Sequence, residues 1–223
     1  IFFFATYSKS IDINIYDIEK NKVNVLLAEK NGNKIQLGLE FLLDTDWKIY
    51  WKYPGDVGLG PSLQITEGSK KNKINIKWPY PTELYEEEVN LISRVYYDHV
   101  ILPTEITFFD LPQSKSNKIK FLLDFQICKE ICIPVKKEFV IDFQAENYIN
   151  NKNIEKIKIY EFYVPKDIKF SKSLKGNNII IQPKTITIEL DKKNKKNLLN
   201  NEKDNFIFLK NNSLGTTRFS KVE

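Results

Sequence analysis

The residues best suited to chemistry are two cysteines, the only ones in 223 residues, in the stretch Cys128-Lys129-Glu130-Ile131-Cys132-Ile133-Pro134. If they pair, they close a ring of about five residues, which the chain-entropy model credits with only about 2 kcal/mol. That is a weak staple for a chain this long, but it suits a bond that has to be made and broken. In an extended strand, residues four apart lie about 13 Å from one another, beyond disulfide reach. Pairing therefore requires a tight turn at Lys129-Glu130-Ile131, which would place the sulfurs near the surface, within reach of a partner thiolate. Lys129, Lys136 and Lys137 are close enough in sequence to favour a thiolate, and Glu130 opposes them. An inert local disulfide or two buried free thiols remain open readings of the same residues.

Other chemistries find less support. A closed zinc site wants four ligands, and two Cys with one His fall short. Copper carriage is disfavoured by the absence of Met. The lone His99 has no serine in a recognisable nucleophile context beside it, so it reads as structural. No cofactor or metal is expected. The net charge of +5 comes largely from Lys mixed with Asn, especially over 192–203, and reads as a solvated surface. Without an Arg-rich stripe or RNA-binding signature, nucleic acid is not an expected partner.

The elements around the cysteines read mainly as β-strands. Ile11, Ile13 and Ile15 alternate with polar residues, and Asn31-Gly32-Asn33 separates two apolar runs in the manner of a hairpin. Trp47, Tyr50, Trp51 and Tyr53 precede a loop, Pro54-Gly55-Asp56-Val57-Gly58-Leu59-Gly60-Pro61, whose prolines and glycines give it a defined shape. It could shield a site or simply close an aromatic core cluster. Trp78-Pro79-Tyr80-Pro81 interrupts regular structure, and Glu83–Glu88 reads as an acidic, solvated loop. Val100–Pro103 and Ile106–Phe109 read as a strand pair with Pro103 at an edge or bulge. Residues 118–127 lead into Cys128, and 135–143 lead away from Cys132. Short strands with frequent turns are the pattern of a β-sandwich.

From 147 the period becomes helical, with a helix at roughly 150–163 stopped by Pro165. Strands at 178–181, 185–190 and 206–209 suggest a smaller second β unit, which three strands are too few to complete. The apolar Ile1–Ser8 is too short to span a bilayer and resembles the tail of a secretory signal peptide, the plain alternative being a buried first strand. No later run reaches transmembrane length.

Taken in order, these motifs resemble the amino-terminal domain of DsbD-type thiol:disulfide interchange proteins, particularly the ScsB-like branch. The resemblance runs through Gly38-Leu39-Glu40-Phe41, Trp47, Tyr50-Trp51, Pro54-Gly55-Asp56-Val57-Gly58, Trp78-Pro79-Tyr80-Pro81, Tyr96, Val100–Pro103 and Cys128–Pro134. It covers about 22–143, and Val95 and Asp98 stand where the family usually has glycines. It implies a periplasmic immunoglobulin-like β-sandwich over 9–146, a helical linker over 147–164 and the second unit over 165–223. It also implies Cys128 and Cys132 as the exchanging pair. Electrons would arrive from a thioredoxin-like domain or a membrane electron-transfer domain and leave to periplasmic disulfide proteins. Trp47, Tyr50, Trp51, Pro54, Gly55, Asp56, Gly58 and Tyr96 are expected to support or shield the pair. The competing expectation is a secreted, non-enzymatic β-sandwich that binds a partner and carries a structural disulfide.

Overall fold

Alternation of apolar and polar residues gives short strands with one face to bury, and burying them takes two sheets laid face to face. A computed structural model of the protein describes residues 12–66, 72–109, 118–142, 148–165, 178–182 and 185–189. The chain divides into two units, Ile1–Pro165 and Lys166–Glu223. In the first unit, one antiparallel sheet runs β1 (Asp12–Ile18), β2 (Asn21–Asn31), β3 (Lys34–Leu42), β9 (His99–Thr107) and β6 (Lys73–Ile76). The short β12 (Tyr148–Ile149) adds to β2. The other sheet runs β11 (Cys132–Asp142), β10 (Lys118–Cys128), β4 (Lys48–Gly55), β8 (Leu91–Tyr97) and β7 (Thr82–Glu86), with β5 (Ser62–Ile65) beside β10. The immunoglobulin-like sandwich expected from the sequence is the fold that forms.

The inner faces supply the core. Ile35, Leu37, Leu39 and Phe41 of β3 lie opposite Ile106, Thr104, Leu102 and Val100 of β9, all buried. From the other sheet come Ile49, Phe121, Leu123, Phe125 and Ile127. Phe125 joins the layers, meeting Phe41 edge-on at 5.4 Å and Tyr16 at 5.8 Å between ring centroids. Burying each such side chain contributes about 1.5–3 kcal/mol, so this seam is a main source of cohesion.

The Asn31–Lys34 hairpin closes as expected, joining β2 to β3. Two expectations about the strands fail. The acidic stretch at 83–88 is largely strand β7, an edge strand whose pairing with β8 keeps it extended although most of its side chains are exposed. Pro103 lies within one continuous strand, β9, rather than between two. Its carbonyl accepts from the Lys77 N–H at 2.7 Å, on the side where the β6 ladder ends at Ile76. The donor that proline lacks would point to that same side, so β3 loses no bond. At the corner between β8 and β9, Asp98 takes φ +57°, a conformation that Asp tolerates better than most residues.

Helix α1 (Asn151–Phe162) is capped by Asn150, whose side chain accepts from the Asn153 N–H. It is a layer of the first unit rather than a linker. Ile157 packs on Leu26, Ala28 and Ile101 across the outer face of the first sheet. Gly38 makes room for it, since a Cβ there would lie 2.7 Å from Ile101 Cγ2 and 3.0 Å from Ile157 Cγ1. Among the described residues no helix is long and apolar enough to cross a membrane. In the second unit, β13 (Asn178–Gln182) and β14 (Thr185–Glu189) form an antiparallel hairpin. The expectations for residues 1–8, 192–203 and 206–209 lie outside the described residues.

Glu40 sits under the helix, 5% exposed. His99 Nε2 lies 3.2 Å from its carboxylate, the Asn24 amide donates at 2.9 Å and Lys156 Nζ at 3.3 Å. The hydrogen bond from His99, with those of Asn24 and Lys156, outweighs burial and holds the carboxyl down at about 2. His99 is thus a structural partner, also joined to Tyr160 of the helix. A depressed folded-state value means stabilisation that is complete above the unfolded value near 4.5 and is lost as pH falls towards 2. About 3 kcal/mol should therefore disappear across that window. Denaturant midpoints measured from neutral pH downward should fall steeply in the wild type and much less in Glu40→Gln. Parallel curves would refute the assignment.

Candidate active site

The cysteines are cross-strand partners at the tip of one hairpin. Strands β10 and β11 pair without a shift from Lys118 opposite Asp142 to Cys128 opposite Cys132, and Lys129-Glu130-Ile131 makes the turn. Their Cα atoms are 4.1 Å apart and the sulfurs are bonded. The required tight turn is present, but the two sulfurs differ in environment. Cys128 is 1% exposed, whereas Cys132 is exposed, flanked by the exposed side chains of Ile131 and Ile133.

Burial of Cys128 follows from strand alternation. Residues directly opposite one another share a face, and Cys128 lies opposite Lys48, Lys48 opposite Tyr97, and Tyr50 opposite Val95. The inner face takes Ile127, Ile49 and Tyr96 instead, so the disulfide belongs to the outer face of its sheet. There Cys128 packs with buried Tyr50 and Val95, and with half-buried Leu84 and Tyr97. A small second core thus forms on a face that would otherwise be wet.

The Pro-Gly loop provides its roof. Strand β4 leaves the ladder after Tyr50 and rejoins β8 at Gly55. Gly55, at φ +100°, lies so close to Ile92 that a Cβ would strike its carbonyl oxygen. Asp56 fastens the return, its N–H donating to the Ile92 carbonyl and its carboxylate accepting from the Ile92 N–H, each at 2.8 Å. Gly58, at φ +96°, then lies against the Tyr50 ring, so close that a Cβ would overlap Cδ1, Cε1 and Cζ. The Tyr50 hydroxyl reaches the disulfide, 4.0 Å from Cys132 Sγ. Burial pushes this hydroxyl's pKa up, with help from Glu86.

The expected supporting residues therefore separate. Tyr50 and Gly58 meet at the pair, and Pro54, Gly55 and Asp56 shape and anchor the loop. Trp51 is buried beside Tyr53, edge-on at 5.5 Å, and its carbonyl is the surface against which Gly60 lies. Trp47 is half-buried in the turn before β4, its N–H donating to Asp44. Tyr96 is buried on the inner face, where its hydroxyl donates to the Pro79 carbonyl at 2.5 Å and fixes the crossover between the sheets.

Sequence reasoning missed Leu84, Val95 and Tyr97. The alternation of Val95 and Tyr97 along one strand was a usable signal, but only a known register connects it to Cys128. The lysines are also engaged differently than expected. Lys129 pairs with Asp46 at 3.5 Å, Lys136 with Asp124 at 3.2 Å, and Lys137 lies over the Tyr16 ring. Their charge is thus shared with other groups.

Fold and hairpin together define a β-sandwich domain with a local disulfide covered on one side only. Residues 18–144 match the family model described as "Thiol:disulfide interchange protein DsbD, N-terminal", and the chain belongs to that family. It is accordingly a thiol:disulfide interchange domain. Among solved structures, the N-terminal periplasmic domain of ScsB from Proteus mirabilis is similar, with a TM-score of 0.55 and 18% identity. That alignment covers 70% of this chain and 59% of the ScsB chain. The reduced N-terminal domain of Neisseria meningitidis DsbD also aligns, at TM-score 0.35 and 14% identity, over 56% of this chain and 89% of that one. The search of curated proteins found no match.

Proposed function

We propose that Cys128 and Cys132 are the exchanging pair of a periplasmic relay, passing reducing equivalents from a thioredoxin-like or membrane electron-transfer domain to periplasmic disulfide proteins. The observation that carries this reading is the asymmetry of one bond, with Cys132 exposed at a hairpin tip and Cys128 buried behind it. A donor thiolate reaches Cys132 Sγ and forms a mixed disulfide. The Cys128–Cys132 bond breaks, and its electron pair leaves on Cys128 Sγ, which takes up a proton. The donor's second thiolate then attacks its own sulfur in the mixed disulfide and releases Cys132. The domain is left as a dithiol and the donor as a disulfide. Run in reverse on another protein's disulfide, the same steps deliver the two electrons.

Equilibration with a dithiol–disulfide buffer tests the reading. An exchanging pair should have a potential above about −300 mV, in the range of redox proteins. A value well below that would mark a staple, and the domain would then be a binding module.

A further inference from the structure

Resting on the exchange reading and extending it, we infer that the Tyr50 hydroxyl is the hydrogen-bond donor that stabilises the Cys132 thiolate, and that Gly58 holds the ring in place for this task. Within the disulfide the hydroxyl is already 4.0 Å from Cys132 Sγ. A bonded sulfur is a weak acceptor, whereas a thiolate draws a donor strongly. Once the bond is broken, Cys132 at the exposed hairpin tip can turn towards the hydroxyl, while Tyr50 cannot turn away. Its ring is packed with Cys128 and Val95 and is overlaid by the Gly58 backbone, which leaves no room for a Cβ.

The charged neighbours do not replace this donor. On β7, Glu86 acts on both the Tyr50 and the Tyr97 hydroxyls, and Asp46, in the turn before β4, acts on that of Tyr97. Both carboxylates oppose a thiolate. Lys48 of β4 lies 3.9 Å from Glu86, and Lys129 of the hairpin turn 3.5 Å from Asp46. Each lysine therefore largely offsets a carboxylate, and Glu130 adds a further negative charge at the tip. A neutral donor aimed at the sulfur is what remains. Because burial raises the Tyr50 pKa above its ordinary value, the hydroxyl keeps its proton over the range in which thiols titrate.

During delivery the Cys132 thiolate attacks one sulfur of the acceptor's disulfide, that bond breaks, and its electron pair leaves on the acceptor's second sulfur. Cys128, as thiolate, then attacks Cys132 Sγ, restores the bond within the domain and releases the acceptor's first sulfur. Water supplies the protons taken up by the acceptor, and Tyr50 donates its hydrogen bond while Cys132 is a thiolate, without losing its own proton.

The test uses the full chain carrying Cys128→Ser, so that Cys132 is the single thiol, and follows its alkylation by iodoacetamide against pH. Adding Tyr50→Phe keeps the ring and removes only the hydroxyl. The alkylation midpoint should rise by about one pH unit, with about tenfold slower reaction near neutrality. An unchanged midpoint overturns the inference. Should the phenylalanine variant not fold, tyrosinate absorbance of the Cys128→Ser chain can be titrated before and after alkylation. One tyrosine should ionise at higher pH while the free thiolate is present, and identical titrations would overturn the inference equally. Neither readout needs a redox partner. A midpoint shift in a domain whose disulfide proves to be a staple would therefore sink the exchange reading alone.

Discussion

Reduced protein carrying Cys128→Ser is expected to accumulate a stable mixed disulfide through Cys132 when mixed with oxidised glutathione, and Cys132→Ser is expected to accumulate almost none. The reason is access. Cys132 stands in solvent at the hairpin tip, while Cys128 is closed in by Tyr50, Val95, Leu84 and Tyr97. With Cys128 present, its thiolate resolves the adduct by attacking Cys132 Sγ. Without it, the adduct has no internal exit. Turnover in exchange should fall to background in both variants. Both should remain folded, since losing so small a ring removes only about 2 kcal/mol. Intact-mass measurement under non-reducing conditions reads the adducts directly. Equal accumulation in the two variants would show that burial does not decide which sulfur reacts.

Gly58→Ala should have the second large effect, on stability and reactivity together. The new methyl would occupy space held by the Tyr50 ring, and φ +96° is a conformation that side-chain-bearing residues adopt only at a cost. Backbone strain of this kind costs about 1–3 kcal/mol, and displacing a packed ring adds a similar amount. A total loss of about 2–6 kcal/mol is expected, with faster alkylation of Cys128 in the reduced protein as its cover lifts. The two contributions can be separated by a double-mutant cycle with Tyr50→Ala. Once the ring is gone, Gly58→Ala should cost only the backbone share. Strictly additive losses would mean that the loop does not rest on Tyr50.

What the sequence conveyed well was local. The cysteine spacing, the turn it demands, the Asn31-Gly32-Asn33 hairpin and the shaped loop after Pro54 each depend on a few consecutive residues, and each is present. What it withheld was non-local. Tyr50 and Trp51 are neighbours, as are Tyr96 and Tyr97, and alternation sends the members of each pair to opposite faces. Which member meets the cysteines is decided by the pairing of β10 with β4 at Cys128 and Lys48, and no residue type announces that register. Strand β7 escaped notice because an edge strand with both faces largely wet has the composition of a loop. Pro103 misled because its missing donor points to where the neighbouring ladder has already ended.

The unbroken register of the hairpin has a consequence for how the domain is read by others. Cys128 and Cys132 each end a strand of eleven residues, and the two strands pair without a shift along their whole length, so the ladder as well as the bond sets the cysteines opposite each other. Making or breaking that bond is therefore expected to change the chemistry of the tip with little change in its outline. Under the proposed relay, a visiting protein would then be unable to tell a loaded domain from an empty one by shape, and would have to dock first and find out by reacting. Traffic in either direction would be set by relative potentials and by the supply of visitors, and the hairpin tip would behave as a terminal rather than a gate.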